Sequence, residues 1–173
     1  MPMEILVRVA DLQSASGDAV LATIGLGSCV AIALHDPRGA VGGLAHILLP
    51  SRSLTRSGDH PGRFPQTACP SLVEGMLARG ADRRRLVARL VGGASMFANL
   101  VPAGSIQMGD RNVIAVREVL KAEGFDANFI AATAGVLVRA TIAKEIEFSP
   151  IPGGGFEAML KGAPLVFFVG ESL

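Results

Sequence analysis

Two apolar runs meet at a four-residue punctuation mark, Asp36-Pro37-Arg38-Gly39, and this constrains the chain more than any other feature. Cys29 to His35 (CVAIALH) and Val41 to Leu49 are rich in aliphatic and β-branched residues, and both read as buried strands. The residues between them have type I turn chemistry, with Asp first, Pro second and Gly fourth. A β-hairpin is therefore expected. It begins with a cysteine, Cys29, just after a Gly-x-Gly-Ser loop, and carries a histidine, His46, in its second strand. A thiol beside an imidazole is the minimum equipment for nucleophilic attack on an amide or ester carbonyl.

Whether the two meet depends on register. If Pro37 and Arg38 alone form the loop, Asp36 faces Gly39 and Cys29 faces His46. A bulged Gly39 would instead put Cys29 opposite Ile47 and turn His46 to the other face. A second bulge at Gly42-Gly43 would restore the meeting. The residues permit all three arrangements.

A chain of 173 residues, half of them hydrophobic and 18% charged, reads as one domain spanning 1–173 rather than as a disordered segment. It has no Trp or Tyr, so the core is expected to be aliphatic with help from Phe. A net charge of +1 leaves no electrostatic footprint for nucleic acid, and the Arg83-Arg84-Arg85 run reads as a solvated helix end. No apolar stretch is long enough to span a membrane, and the N-terminus does not read as an export signal. The expectation is a reducing cytoplasm with Cys29 and Cys69 both free. Neither cysteine lies in a zinc-binding spacing, so no metal or cofactor is expected.

In chain order, Glu4–Val9 reads as a strand, residues 11–18 as a polar connection, and Ala19–Ile24 as a strand leading into the Gly25–Ser28 loop. Residues 51–62 read as a surface loop containing a solvated His60. Residues 65–79 form a helix whose apolar face includes Cys69, which is the structural cysteine. Leu86–Val91 is a strand ending at Gly92-Gly93. Residues 111–123 make an amphipathic helix capped by Asp110 and Gly124, with Val113, Val116 and Leu120 inward. Three strands follow at 127–132, 135–142 and 145–148. The tail from about 150 carries a triglycine, a short amphipathic piece and a last strand at 165–169. This irregular order suggests an α/β (α+β-like) fold of mixed sheets with helices outside, not a doubly wound parallel sheet.

The stretch TIGLGSC…GGLAHILLP resembles the signature of the CheD family, the chemoreceptor glutamine deamidases of bacterial chemotaxis. The likeness continues in GGASMF (92–97), in MGDRN with AVREVL after it (108–120), and around Ala68–Met76. The resemblance implies two packed mixed β-sheets with helices outside, as in cysteine-dependent toxin deamidases. It also implies hydrolysis of receptor glutamine side chains to glutamate with release of ammonia. It puts the nucleophile on Cys29, the general base on His46 and the third active-site residue on Thr23. The implied substrate is the cytoplasmic helices of methyl-accepting chemoreceptors, and the implied protein partner is a CheC-type phosphatase. The chain departs from the family pattern at Gln66, in Ala134–Arg139, and in its atypical C-terminal tail.

The chemistry fits these residues. A free thiol is only a few per cent ionised at neutral pH, and an adjacent imidazole can take its proton and lower its pKa through an ion pair. Backbone N–H groups around Gly27, Ser28 and Cys29 are candidate oxyanion donors, and Thr23 could orient the imidazole. The rival reading is a non-catalytic adaptor that binds receptor or phosphatase helices. A cysteine hydrolase or transglutaminase acting on another amide would use the same residues.

Overall fold

The computed structural model describes residues 3–56, 60–94, 102–131, 136–141 and 145–150, the last three strands as backbone. Nine strands and two α-helices are found among them: β1 (Met3–Leu6), β2 (Leu12–Ser16), β3 (Ala19–Leu26), β4 (Val30–Asp36), β5 (Val41–Ile47), α1 (Pro65–Leu77), β6 (Val87–Gly92), α2 (Met108–Ala122), β7 (Ala127–Ala131), β8 (Val136–Thr141) and β9 (Glu145–Pro150). They form a four-stranded sheet in the order β1-β3-β8-β9 and a five-stranded sheet in the order β2-β5-β4-β6-β7. Both sheets are mixed, since β1 runs parallel to β3 and β6 parallel to β7 while the other pairs are antiparallel. The expected fold class of two mixed sheets with helices outside is what is found. The expected strand at 165–169 lies outside the described residues.

Alternate side chains of the hairpin serve two different cores. Val30, Ile32 and Leu34 of β4 and Ala45 and Ile47 of β5 pack with Leu72, Val73 and Met76 of α1 and Val116 and Leu120 of α2. Ala31 and Ala33 of β4 and Leu44 of β5 face the other way. There they meet Ala19, Leu21 and Leu26 of β3, with Val7, Ala15 and Val91 in the same layer. The central strands are thus covered on both faces, which is why CVAIALH reads as an unbroken apolar run rather than as an alternation.

The loop of the hairpin is longer than either register expected from the turn. Asp36 pairs with Val41 and Ala31 with His46, so residues 37–40 form the connection. The Asp36 carboxylate causes this by accepting hydrogen bonds from the Arg38 and Gly39 N–H groups at 3.1 and 3.0 Å. That winds the chain one residue further, and Ala40, not Gly39, takes the left-handed conformation at φ 48°. Gly42 and Gly43 make no bulge. Gly43 is instead the seat of α1: a side chain there would come within 2.8 Å of Leu72 and Met76.

Other expectations need correction. Residues 12–16, read as a polar connection, are the edge strand β2. Its LQSAS sequence lacks the apolar alternation that would announce a strand, and it is half exposed. Helix α2 starts three residues early, so Asp110 lies inside its first turn rather than capping it. The arginine run is a short helical turn whose Arg83 and Arg84 are exposed, as expected of a solvated end, but Arg85 departs from that reading. Arg85 makes a two-pronged ion pair with the fully buried Asp36, through Nε at 2.9 Å and Nη2 at 2.7 Å. Asp36 also accepts the Asp82 N–H at 2.8 Å.

The Arg85 guanidinium, with help from the backbone donors, holds the Asp36 carboxyl far below the usual carboxylate range. Its contribution to stability is complete above about pH 4, the unfolded value, and is lost as pH falls toward the folded value. Asp36→Asn should lower unfolding free energy at pH 7 by about 3 kcal/mol, because it removes one partner of a buried pair. Urea denaturation followed by circular dichroism checks this, and the loss should shrink as the wild type is titrated below pH 4.

Candidate active site

His46 lies on β5 facing the layer between the sheets and is fully buried. Its backbone is paired on the outer side with the segment after β1: its N–H donates to Asp11 O at 3.0 Å, and its carbonyl accepts from Ala10 N at 2.9 Å. Thr23 on β3, also fully buried, reaches across from the other sheet, with its Oγ1 2.7 Å from His46 Nδ1. The same Oγ1 donates to Val7 O at 2.7 Å. A hydroxyl has one hydrogen, and Val7 takes it, so Thr23 must accept from the ring. Neutral His46 therefore carries its proton on Nδ1. Its Nε2 bears the lone pair and has no hydrogen-bond partner among the described residues. Burial lowers the imidazole pKa to about 4, so the ring is neutral at physiological pH.

Cys29 stands one residue before β4 and packs half-buried against the same inter-sheet layer. Ala31 faces His46 directly, so Cys29, two residues earlier, shares that face and lies on the diagonal from His46. Diagonal neighbours are ~7–8 Å apart at Cα, and no hydrogen bond joins the Cys29 thiol to His46 Nε2. The observed register thus puts the two residues on one face without the directly opposed pairing that a two-residue loop would have given. Burial pushes the Cys29 thiol up, and its own backbone N–H pulls more weakly the other way. Both shifts favour the neutral thiol and the neutral imidazole rather than the expected low-pKa ion pair.

The loop before Cys29 is tied down carbonyl by carbonyl. Gly27 O accepts from Ala94 N, and Cys29 O from Gly93 N, each at 2.8 Å. A side chain at Gly92 would collide with the Cys29 carbonyl, and one at Gly93 with Val113, so this close approach requires both glycines. Ser28 O accepts from the Asn112 side chain of α2 at 2.8 Å. The same Asn112 nitrogen reaches Leu48 O, just beyond β5, at 3.2 Å.

Asn112 was not among the expected site residues. It stands in the MGDRN stretch, where a buried carboxamide inside an otherwise amphipathic helix was the available signal. Cys69 lies fully buried on α1 among Leu72, Val73 and Met76, away from this layer, and burial raises its thiol to about 12. His60 is exposed, as expected. No group of three or more His, Cys, Asp or Glu stands together as a metal site among the described residues. No helix among them is long and apolar enough to cross a membrane.

The family model for CheD chemotactic sensory transduction matches residues 48–134. A protein of Caldanaerobacter subterraneus, named as a probable chemoreceptor glutamine deamidase CheD, is 42% identical over 68% of this chain and 73% of its own length. Proteins with the same name from Solibacter usitatus and Archaeoglobus fulgidus are each 41% identical, over 68% and 72% of this chain and 69% and 76% of their own lengths. Among solved structures, Bacillus licheniformis hypothetical protein YfiH superposes with a TM-score of 0.43 at 16% identity, covering 69% of this chain and 50% of that one. From the sequence matches, the chain belongs to the CheD family.

Proposed function

We propose that the protein deamidates glutamine side chains of chemoreceptors, converting them to glutamate and releasing ammonia, with Cys29 as nucleophile, His46 as general base and acid, and Thr23 orienting the ring. The relatives' shared name supports the reaction and the substrate class. One observation carries the residue roles. Thr23 fixes the His46 tautomer, so that the unpartnered Nε2 lone pair belongs to a ring on the same sheet face as the half-buried Cys29 thiol. The substrate segment is a receptor cytoplasmic helix, and the implied protein partner is a CheC-type phosphatase.

The steps follow from the protonation states. As Cys29 Sγ bonds to the glutamine side-chain carbonyl carbon, its proton passes to His46 Nε2. The ring, charged for the moment, is held by its Nδ1–H bond to Thr23. The tetrahedral oxyanion is met by backbone N–H groups at Ser28 and Cys29. The C–N bond breaks as Nε2 returns the proton to nitrogen, leaving ammonia and a thioester. Water, giving one proton to Nε2, adds to the thioester carbon. The C–S bond then breaks, the proton returns to sulfur, and the products are glutamate and free Cys29. One water enters and one ammonia leaves per cycle, with no net redox change.

The buried imidazole is neutral at physiological pH, with its Nε2 lone pair available to take the thiol proton, and burial holds the thiol protonated at rest.

Cys29→Ala should abolish glutamine-to-glutamate conversion in a chemoreceptor cytoplasmic fragment, read by mass spectrometry, and leave the circular dichroism spectrum and melting temperature close to wild type. Conversion at the wild-type rate would remove Cys29 from the mechanism. Because burial depresses the folded-state pKa of His46 below its unfolded value of about 6.5, the unfolded chain binds the extra proton. Stability should therefore be full above about pH 6.5 and fall by up to about 3 kcal/mol as pH drops toward 4. His46→Leu should flatten this part of the pH–stability curve measured by urea denaturation.

A further inference from the structure

We infer that Asn112 is a positioning residue that sets the Ser28–Cys29 peptide plane, so that the Cys29 N–H faces the attack site while the nucleophile loop is tied to the strand carrying His46. This rests on Cys29 being the nucleophile, and it adds a residue of α2 that reaches the site through two backbone carbonyls.

The Asn112 side chain is fully buried, and its Nδ2 has two hydrogens and two acceptors, Ser28 O at 2.8 Å and Leu48 O at 3.2 Å. Both contacts are to carbonyls, so the amide orientation follows from chemistry: Nδ2 faces them and Oδ1 faces away. Oδ1 has no hydrogen-bond partner among the described residues. A side chain kept buried with one polar atom unmatched is costly, which argues that the two bonds it does make are needed.

Their position explains the need. Ser28 C=O and Cys29 N–H belong to one trans planar peptide and point in opposite directions. Drawing the carbonyl toward α2 turns the Cys29 N–H away from α2. An oxyanion formed by attack of the Cys29 sulfur needs such a donor beside it. The second bond takes the carbonyl two residues after His46. One nitrogen thus fixes the backbone ends of nucleophile and base relative to each other. Gly109 makes the strap possible, since a side chain there would collide with the Gly93 and Ala94 carbonyls and push α2 off the loop.

The test compares wild type with Asn112→Leu, a near-isostere without donors, and with Asn112→Ala should the larger side chain fail to fold. Cys29 alkylation by iodoacetamide is followed by peptide mass spectrometry across pH, with buried Cys69 as the control in the same chain. Loss of positioning should raise the pH midpoint of Cys29 alkylation while Cys69 stays as protected as in wild type. With a chemoreceptor cytoplasmic fragment, kcat for ammonia release should fall on the order of 10²-fold, as for loss of one oxyanion donor, and KM should stay within about twofold. A folded variant with the wild-type midpoint and kcat overturns the inference, as does one whose Cys69 becomes reactive in step with Cys29, which marks general loosening. If wild type alkylates normally but releases no ammonia from the fragment, the deamidase reading fails, and the midpoint shift still decides the role of Asn112.

Discussion

Thr23 holds a single hydroxyl hydrogen and gives it to Val7 within its own sheet, so that it can only accept from the histidine of the other sheet. The chemistry at the site depends on this one-way bond. It selects the ring tautomer, and it requires the two sheets to approach closely enough for a 2.7 Å contact between their side chains. The layer between them is built for that, with alanines at 15, 19, 31 and 33 and larger groups at Leu21, Leu26 and Leu44. Bulkier residues at the alanine positions would push the sheets apart and break the bond.

The site also shows how the fold accommodates polar groups it would otherwise exclude. Thr23, His46, Asn112 and Asp36 are its fully buried polar residues among those described. Thr23 and His46 meet between the sheets, Asn112 ties the loop before Cys29 to the end of β5, and Asp36 shapes the hairpin. Asp36 is matched by five hydrogen bonds, two from one guanidinium and three from backbone N–H groups. His46 and Asn112 each leave one atom unmatched.

Burial grades the two groups differently: Cys29 is half-buried, while His46 is sealed in the layer between the sheets. Away from bulk water the imidazole stays neutral. The expectation of a thiolate at rest came from placing an imidazole beside a thiol in a generic environment. The desolvation that reverses it comes from two sheets closing over the ring.

Composition, motif and local pattern were enough for much of this protein. Both apolar runs became paired strands, 65–79 and 111–123 became helices, and the mixed two-sheet architecture followed from their irregular order. The family resemblance pointed to Cys29, Thr23 and His46, and the structure brings Thr23 and His46 into contact. What the chain could not express was distance between elements. Edge strand β2 escaped notice because its partner, not its own LQSAS sequence, makes it a strand. The register of the hairpin turned on a carboxylate capping its own loop, and that carboxylate is held in place by an arginine 49 residues away. Asn112 came to the site because α2 lies across the ends of β4 and β5. Local sequence determined which strands and helices form and which chemical groups are available; only packing decided which of those groups meet, which way the histidine proton points, and how far from water it sits.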